Sequence, residues 1–461
     1  MIKKMTSACI SLVQKFLPDP FIFALILSAI VFVCGILLNH TSPIDMIKFW
    51  GNGFWGFLAF SMQMVLVVVL GNCLASAPVF TKLLQRLADI PKTPKQAVAF
   101  CTVVAGIACM IQWGFGLVLG AIFAKELAKR VKGVDYRLLI AAAYSTFLLT
   151  VPTSSIILKA ASNPDDLVVQ TGGALTEVID MTRTAYNPFT LATLIIMFIG
   201  LIILNASMHP SPEDTFSIDP KLIEADEKRQ AAEAELEKLD KKNMTPAERL
   251  ENSKLITYLV SIAGIAYLVW YFGTKGFSMN IDIMNFMLFI FGILLNRTPI
   301  AYVRQLGNAV RSAAGIILQF PFYAGIAGMM VSVNAATGTS LAGIVTSAIA
   351  SVSTRNTFPI FTFLSGALVN MFVPSAGGQW GVQAPIMFPA GQALGVDPAM
   401  TTVALTWGDT WTNMIQPFWA LPALGIAGLK VRDIMGFCVM VTLMSGIIIF
   451  IAMLIWPMIA G

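Results

Sequence analysis

The chain has 461 residues, of which 57% are hydrophobic and 12% charged, and its mean hydropathy is +0.77. Soluble domains carry about 25% charged residues, so the composition excludes an ordinary soluble enzyme and indicates a polytopic helical membrane protein. The net charge of +5 does not point to nucleic acid, because the Lys and Arg cluster in loops between apolar runs. The six cysteines form no C-x-x-C pair, and His40 and His209 have no ligand-spaced partner. Nucleotide-binding and hydrolase motifs are absent from the sequence, so a cofactor enzyme or an ATP-driven pump has no residues to stand on.

The first apolar run, "PFIFALILSAIVFVCGILL" from Pro20 to Leu38, matches the ~20 residues that cross a bilayer. It is too long for a signal-peptide core and has no small-residue cleavage site after it. Lys3, Lys4 and Lys15 place the N-terminus in the cytoplasm by the positive-inside rule. A span over 20–38 then goes out and one over 54–77 returns. The apolar block 97–124 has basic residues at both ends and a polar, glycine-rich middle at Gln112, Trp113, Gly114 and Gly116. It is long for one span and short for two, which predicts a re-entrant hairpin entering from the cytoplasm; one tilted span is the plainer alternative. Spans over 138–158 and 187–206 follow.

From Ser207 to Lys254 there are 20 charged residues in 48, which predicts a solvated cytoplasmic linker at 207–254. It separates a first half, 1–206, from a second, 255–461. The second half is predicted to hold an extra span over 255–273, spans over 281–296 and 312–333, a hairpin over about 358–388 entering from outside, and spans over 401–425 and 434–457.

The two halves repeat each other. "GILLNHTSPI" at Gly35–Ile44 recurs as "GILLNRTPI" at Gly292–Ile300. With Ser42 skipped, the alignment runs on to Gln63 and Gln319 with eleven identities in 28 pairs. "QWG" also recurs, at Gln112–Gly114 and Gln379–Gly381. Charge bias puts Asn39 at the outer end of its span and Asn296 at the inner end of its own. The expected fold is therefore all-α: two inverted repeats, each with a re-entrant helical hairpin and a broken transmembrane helix. Inverted repeats are a transporter signature, with the site near the membrane midplane.

Non-helical backbone at that depth persists only where it is buried in protein or lines a watery cavity. "VPSAGGQWGVQAP" is such a stretch, and two helix ends meeting there suit an anion. Candidate substrate contacts are Gln112, Trp113 and Gly114 on the first hairpin, and Asn370, Ser375, Gly377, Gly378, Gln379, Trp380 and Gln383 on the second. Both QWG motifs are followed at a spacing of 32 residues by broken spans, at Tyr144 and at Trp411. This pairs Ser145 and Thr146, which are further candidate substrate contacts, with Thr412 and Asn413. Asp409 is the carboxylate well inside its span, and intramembrane ionisable groups default to function. It is the expected H⁺ or Na⁺ coupling site with Thr410, Thr412 and Asn413; a structural hydrogen-bond acceptor is the alternative. No Lys or Arg lies at either turn, which favours a small monoanion among Trp113, Trp380, Trp407 and Trp411 over a dicarboxylate.

"NMFVPSAGGQWGVQAPIMFPA", from Asn370 to Ala390, closely resembles the signature of the bacterial short-chain fatty acid transporter family, and "QKFLPDPFIFALIL" resembles its N-terminus. Ala376 and Gly381 are small-for-small changes in that motif. The resemblance covers essentially the whole chain. It implies an inverted-repeat, two-hairpin elevator carrier of the ion transporter superfamily, with homodimers common. It also implies uptake of acids such as butyrate or acetoacetate across the bacterial inner membrane, with no cofactor beyond a coupling ion. A C4-dicarboxylate or other organic-anion carrier, and an anion channel, are the remaining readings.

Overall fold

The structure is a computed structural model. It describes all residues except 1, 17, 76, 151–154, 163–166, 172, 225–226, 229–243, 277–279, 375 and 461. Much of the charged linker, and the predicted contact Ser375, thus lie outside the described residues.

The first half consists of α1 (Ile2–Phe16), α2 (Pro20–Asn39), α3 (Pro43–Gly53), α4 (Leu58–Ala75), α5 (Pro78–Ala88), α6 (Pro94–Ile111), α7 (Trp113–Arg130), α8 (Tyr136–Ser145), α9 (Ile156–Ala161) and α10 (Pro188–Ser207). The second consists of α11 (Lys254–Lys275), α12 (Ile281–Asn296), α13 (Pro299–Ala309), α14 (Ala314–Val331), α15 (Leu341–Ser351), α16 (Phe358–Asn370), α17 (Ala376–Ala393), α18 (Pro398–Thr412), α19 (Leu421–Ala427) and α20 (Val431–Ala460). Short 3₁₀ turns occupy Thr146–Leu149 and Pro417–Ala420. Among the described residues six helices are long and apolar enough to cross a membrane, or seven if α3 and α4, bent by 42°, count as one broken span.

Local chemistry sets many of these boundaries. Asp19, Asn187, Thr298 and Asp397 each accept a backbone N–H at a helix start, and each is followed by Pro at the first helical position. Proline there gives up an N–H that has no partner anyway and pre-sets φ for the helix. The repeated Thr-(Ser)-Pro letters are thus a restart signal. Ser42 caps α3 through the Asp45 N–H, and Thr298 caps α13 through the Ala301 N–H.

The halves interlock. Phe21 packs edge-on against Phe322 at 4.9 Å, and Asn39 at the far end of α2 bonds Thr337 and Thr339 just beyond α14. Helices α2 and α14 therefore run parallel. Gln63 bonds Asp282, and Asn296 donates to the Cys73 carbonyl, so α4 and α12 also run parallel. Phe60 stacks on Phe320, while Cys73 and Leu74 share a core cluster with Tyr302 and Ala309. That makes α4 antiparallel to the 299–331 run. It follows that α2 and α12, which carry the same sequence signal, point in opposite directions.

Both long blocks are antiparallel helical hairpins. In the first, Gly116 lies on Cys109, Gly120 on Ala105, and Phe123 on Phe100 at 5.8 Å. In the second, Gln379 reaches Gly366, Gln383 reaches Ser365, and Gly391 lies on Phe358. A single tilted span across 97–124 is incompatible with this packing. The first hairpin is longer than the apolar block alone suggests, because α7 continues through Lys125, Lys129 and Arg130.

Candidate functional site

One residue breaks the first hairpin. Gln112 is extended (φ −159°, ψ 127°), and its side-chain oxygen accepts the Phe115 N–H at 2.7 Å, capping α7. A Cβ on Gly116 would meet the Cys109 backbone at 2.5–2.6 Å, so glycine permits the two arms to close up directly behind the tip. Trp113, at the tip, is buried against Phe147 (6.0 Å) and Trp419 (5.0 Å). Gly114 faces Val67 and the Gln112 amide.

The tip of the second hairpin rests on α18. Gly408 meets α16 backbone to backbone: a Cβ there would come within 2.4 Å of the Phe363 carbonyl oxygen. This close approach carries Asn370, fully buried, onto the end of α18. Its Nδ2 lies 2.7 Å from the Asp409 carbonyl oxygen, 3.0 Å from Thr412 Oγ1 and 2.7 Å from Asn413 Oδ1. Thr412 also donates to the Ala367 carbonyl, and Thr410 to Thr406. Asp409 is buried, and among the described residues no donor or cation bonds its carboxylate. Gln379 donates to the Gly366 carbonyl at 3.0 Å and Gln383 to Ser365 at 2.8 Å. Trp380 packs against Phe388, and Gly377 faces open space.

The two broken spans touch where the sequence spacing pairs them. The Tyr144 hydroxyl donates to the Asn413 carbonyl. Next to it, Ser145 accepts from Asn205 at 3.0 Å, and Thr146 lies 3.3 Å from Cys109 Sγ behind the first tip. Of the predicted residues, the structure thus gathers Asn370, Asp409, Thr412 and Asn413 into one cluster. It sets Trp113 beside the second broken span and Thr146 behind the first tip. Gln379 and Gln383 lie along the second hairpin with their amide nitrogens engaged within it.

Sequence reasoning reached Tyr144 only as a spacing landmark and singled out none of Gln416, Trp419 and Tyr323. The Gln416–Pro417 pair is a helix-restart signal like those at the other caps, and it could have drawn attention to that turn. Tyr323 carries no local signal. No group of three or more His, Cys, Asp or Glu suited to a metal occurs among the described residues.

Antiparallel hairpins, two broken spans and oppositely directed repeats define an all-helical, multi-pass membrane protein of transporter type, not an enzyme. The chain belongs to the short chain fatty acid transporter family, whose pattern it matches over residues 1–456. It is 44% identical over 455 residues to an Escherichia coli (strain K12) protein, covering 98% of this chain and 99% of that one. It is 43% identical over 442 residues to a Haemophilus influenzae protein, covering 95% and 96%. The names of both assign them to short-chain fatty acid transport. Among solved structures it is similar to the Alcanivorax borkumensis YdaH transporter, at TM-score 0.43 and 15% identity with 95% and 98% of the two chains covered. The Neisseria gonorrhoeae MtrF structure, described as illuminating a class of antimetabolite efflux pumps, gives TM-score 0.40 and 17% identity with 97% of each chain covered. These scores are too low for either likeness to carry weight.

Proposed function

We propose that the protein is a secondary active transporter that takes up short-chain fatty acids or related small monocarboxylates, butyrate and acetoacetate among them, across the bacterial inner membrane, coupled to H⁺ or Na⁺. Residues 1–206 and 281–461 form the two inverted repeats, α11 is an added span, and the N-terminus and the 207–254 linker are cytoplasmic. The hairpins re-enter the membrane, and the carrier works as an elevator in a homodimer. Its substrate lies between the hairpin tips and the broken spans.

The observation that carries this reading is the Asn370–Asp409–Asn413 cluster. A buried carboxylate with no fixed partner must be protonated or must take up a cation, because a lone charge there is costly. Occupation by H⁺ or Na⁺ neutralises it, which is what a coupling site does when a loaded carrier moves. The test is uptake of labelled butyrate into proteoliposomes, with Na⁺ and pH gradients imposed separately. Accumulation driven by one of them and abolished by its collapse is the expected result. Uptake that neither saturates nor shows counterflow would instead indicate a channel.

A further inference from the structure

Two groups of buried polar atoms without a partner among the described residues differ in polarity. On the second hairpin they are acceptors: Asn370 Oδ1, Gln379 Oε1 and Gln383 Oε1. The amide orientations of Asn370 and Gln379 are set by chemistry, since their nitrogens face backbone carbonyls, which can only accept. Those side chains therefore direct oxygen at whatever binds beside them. Such oxygens suit a cation or a proton and repel a carboxylate, and Asp409, whose main-chain carbonyl Asn370 bonds, carries a carboxylate of its own.

Around the turn that follows α18 the orphaned atoms are donors. Gln416 Oε1 accepts the Phe418 N–H at 2.6 Å, which fixes the amide and leaves Nε2 unpartnered. Trp419 Nε1 and the Tyr323 hydroxyl are likewise buried and unpartnered among the described residues. Gln416 and Tyr323 are fully buried, and Trp419 is 5% exposed. The three gather round Phe418. The Tyr323 ring lies 5.2 Å from the Phe418 ring at 82°, and Trp419 lies 5.2 Å from it at 84°. Phe320 stacks on the same ring at 4.0 Å, and Trp113 of the first hairpin tip closes on Trp419. Leaving a donor dry and unpaired costs about 1–3 kcal/mol, so several on one aromatic wall call for an acceptor. Gln319, one turn before Tyr323, leaves an acceptor oxygen, and Trp407 leaves a donor on the α18 side; among the described residues no ring contact joins Trp407 to this wall.

We infer that Gln416, Trp419 and Tyr323 are the residues that read the substrate carboxylate, and that the second-hairpin amides hold the coupling cation. This rests on the functional reading above and deepens it. Asn413 and Gln416 sit three residues apart in one turn, so a cation on the first side and a carboxylate on the second would neutralise each other. The aromatic rings would enclose a short alkyl tail, and no basic side chain is required.

Tyr323→Phe removes one donor and keeps the ring, and Trp419→Phe removes one donor while keeping an aromatic side chain of smaller size. Gln416→Glu keeps the oxygen that caps Phe418 and replaces the donor with an acceptor. In proteoliposomes, each Phe variant should raise the half-saturating butyrate concentration about tenfold, the range seen when one hydrogen bond to a charged group is lost. The maximal rate and the cation dependence should stay in place. Gln416→Glu should lose saturable uptake. In the wild type, unlabelled butyrate should compete and butyramide, which brings its own donors, should not; this arm needs no variant to fold. Wild-type half-saturation in both Phe variants, or equal competition by butyramide, overturns the assignment. If the wild type accumulates no butyrate, the proposed function falls. Calorimetric titration of the purified protein with small mono- and dicarboxylates then decides the inference: loss of affinity in Trp419→Phe upholds it, and unchanged affinity overturns it.

Discussion

His40 and Arg297 hold the same backbone position in the two repeats, each directly after the asparagine that ends its span, and both have positive φ, 50° and 67°. Among the described residues no other non-glycine does so. A side chain in the left-handed region costs roughly 1–2 kcal/mol. Two such residues at aligned positions are a shared device: the chain turns sharply there, and the following Ser42 or Thr298 restarts a helix.

If the turn is the reason for the strain, His40→Gly should relieve it. Among the described residues the exposed His40 makes no side-chain bond that would be lost, so the midpoint of thermal unfolding should rise slightly, by the equivalent of about 1 kcal/mol. A lowered midpoint would show that the imidazole contributes something the backbone does not.

The opposed directions of α2 and α12 predict topology. Single cysteines at His40 and Arg297, the exposed residues next to the buried Asn39 and Asn296, should be labelled by a membrane-impermeant maleimide from opposite faces of the membrane. Labelling of both from one face contradicts the inversion.

Gly408 sets the approach of α16 to α18. Gly408→Ala places a methyl against the Phe363 carbonyl and the Ala367 N–H at 2.4 and 2.8 Å. Backbone cannot repack as side chains do, so destabilisation of at least about 1–3 kcal/mol is expected. Asn370 should lose its grip on Asp409 and Asn413, and transport should fall further than protein abundance in the membrane. Equal transport per folded molecule would count against a role for this contact.

Asp409→Asn keeps shape and removes charge. Gradient-driven accumulation of butyrate should be abolished while substrate exchange across the membrane persists in part. Wild-type accumulation with unchanged ion dependence would make Asp409 structural.

His209, outside the spans, is held neutral. Its Nε2 accepts the Asp135 N–H at 3.2 Å, and Nδ1 lies 3.0 Å from the Pro210 carbonyl. Burial lowers its pKa, which the Pro210 carbonyl and the nearby Asp135 charge oppose, and Lys3 and Lys95 add to the lowering. The folded protein therefore binds this proton less readily than the unfolded chain does. Its contribution is complete above the unfolded pKa of about 6.5 and is lost as pH falls through the depressed folded value. Wild type should lose thermal stability between neutral pH and pH ~5 more steeply than His209→Gln, whose amide can supply both an acceptor and a donor. Parallel pH profiles would remove His209 from the account.

The sequence by itself determined the class of protein, the presence of several apolar helices and the repeated turn signal. Each depends on local or composition-wide chemistry. Lipid requires runs of about 20 apolar residues, proline and cap residues mark helix starts, and a repeated turn needs repeated letters. The predicted 281–296 coincides with the observed α12, whereas the predicted 312–333 belongs to a longer apolar run over Pro299–Val331. The amphipathic α1, and α3 and α13 after the turns, escaped because short half-exposed helices leave little hydropathy signal. Candidate residues such as Asn370 and Asp409 were legible because polarity inside an apolar run stands out. Tertiary structure alone decided which way each amide points. Gln379 reads in sequence as a donor for an anion, yet its nitrogen is engaged by Gly366, 13 residues earlier on the opposite arm. Tyr323 reads as an ordinary apolar-span tyrosine, yet it meets Phe418 from far along the chain. Hydrogen-bond polarity at a buried site depends on which partners the fold brings within 3 Å or so, and no local pattern encodes that.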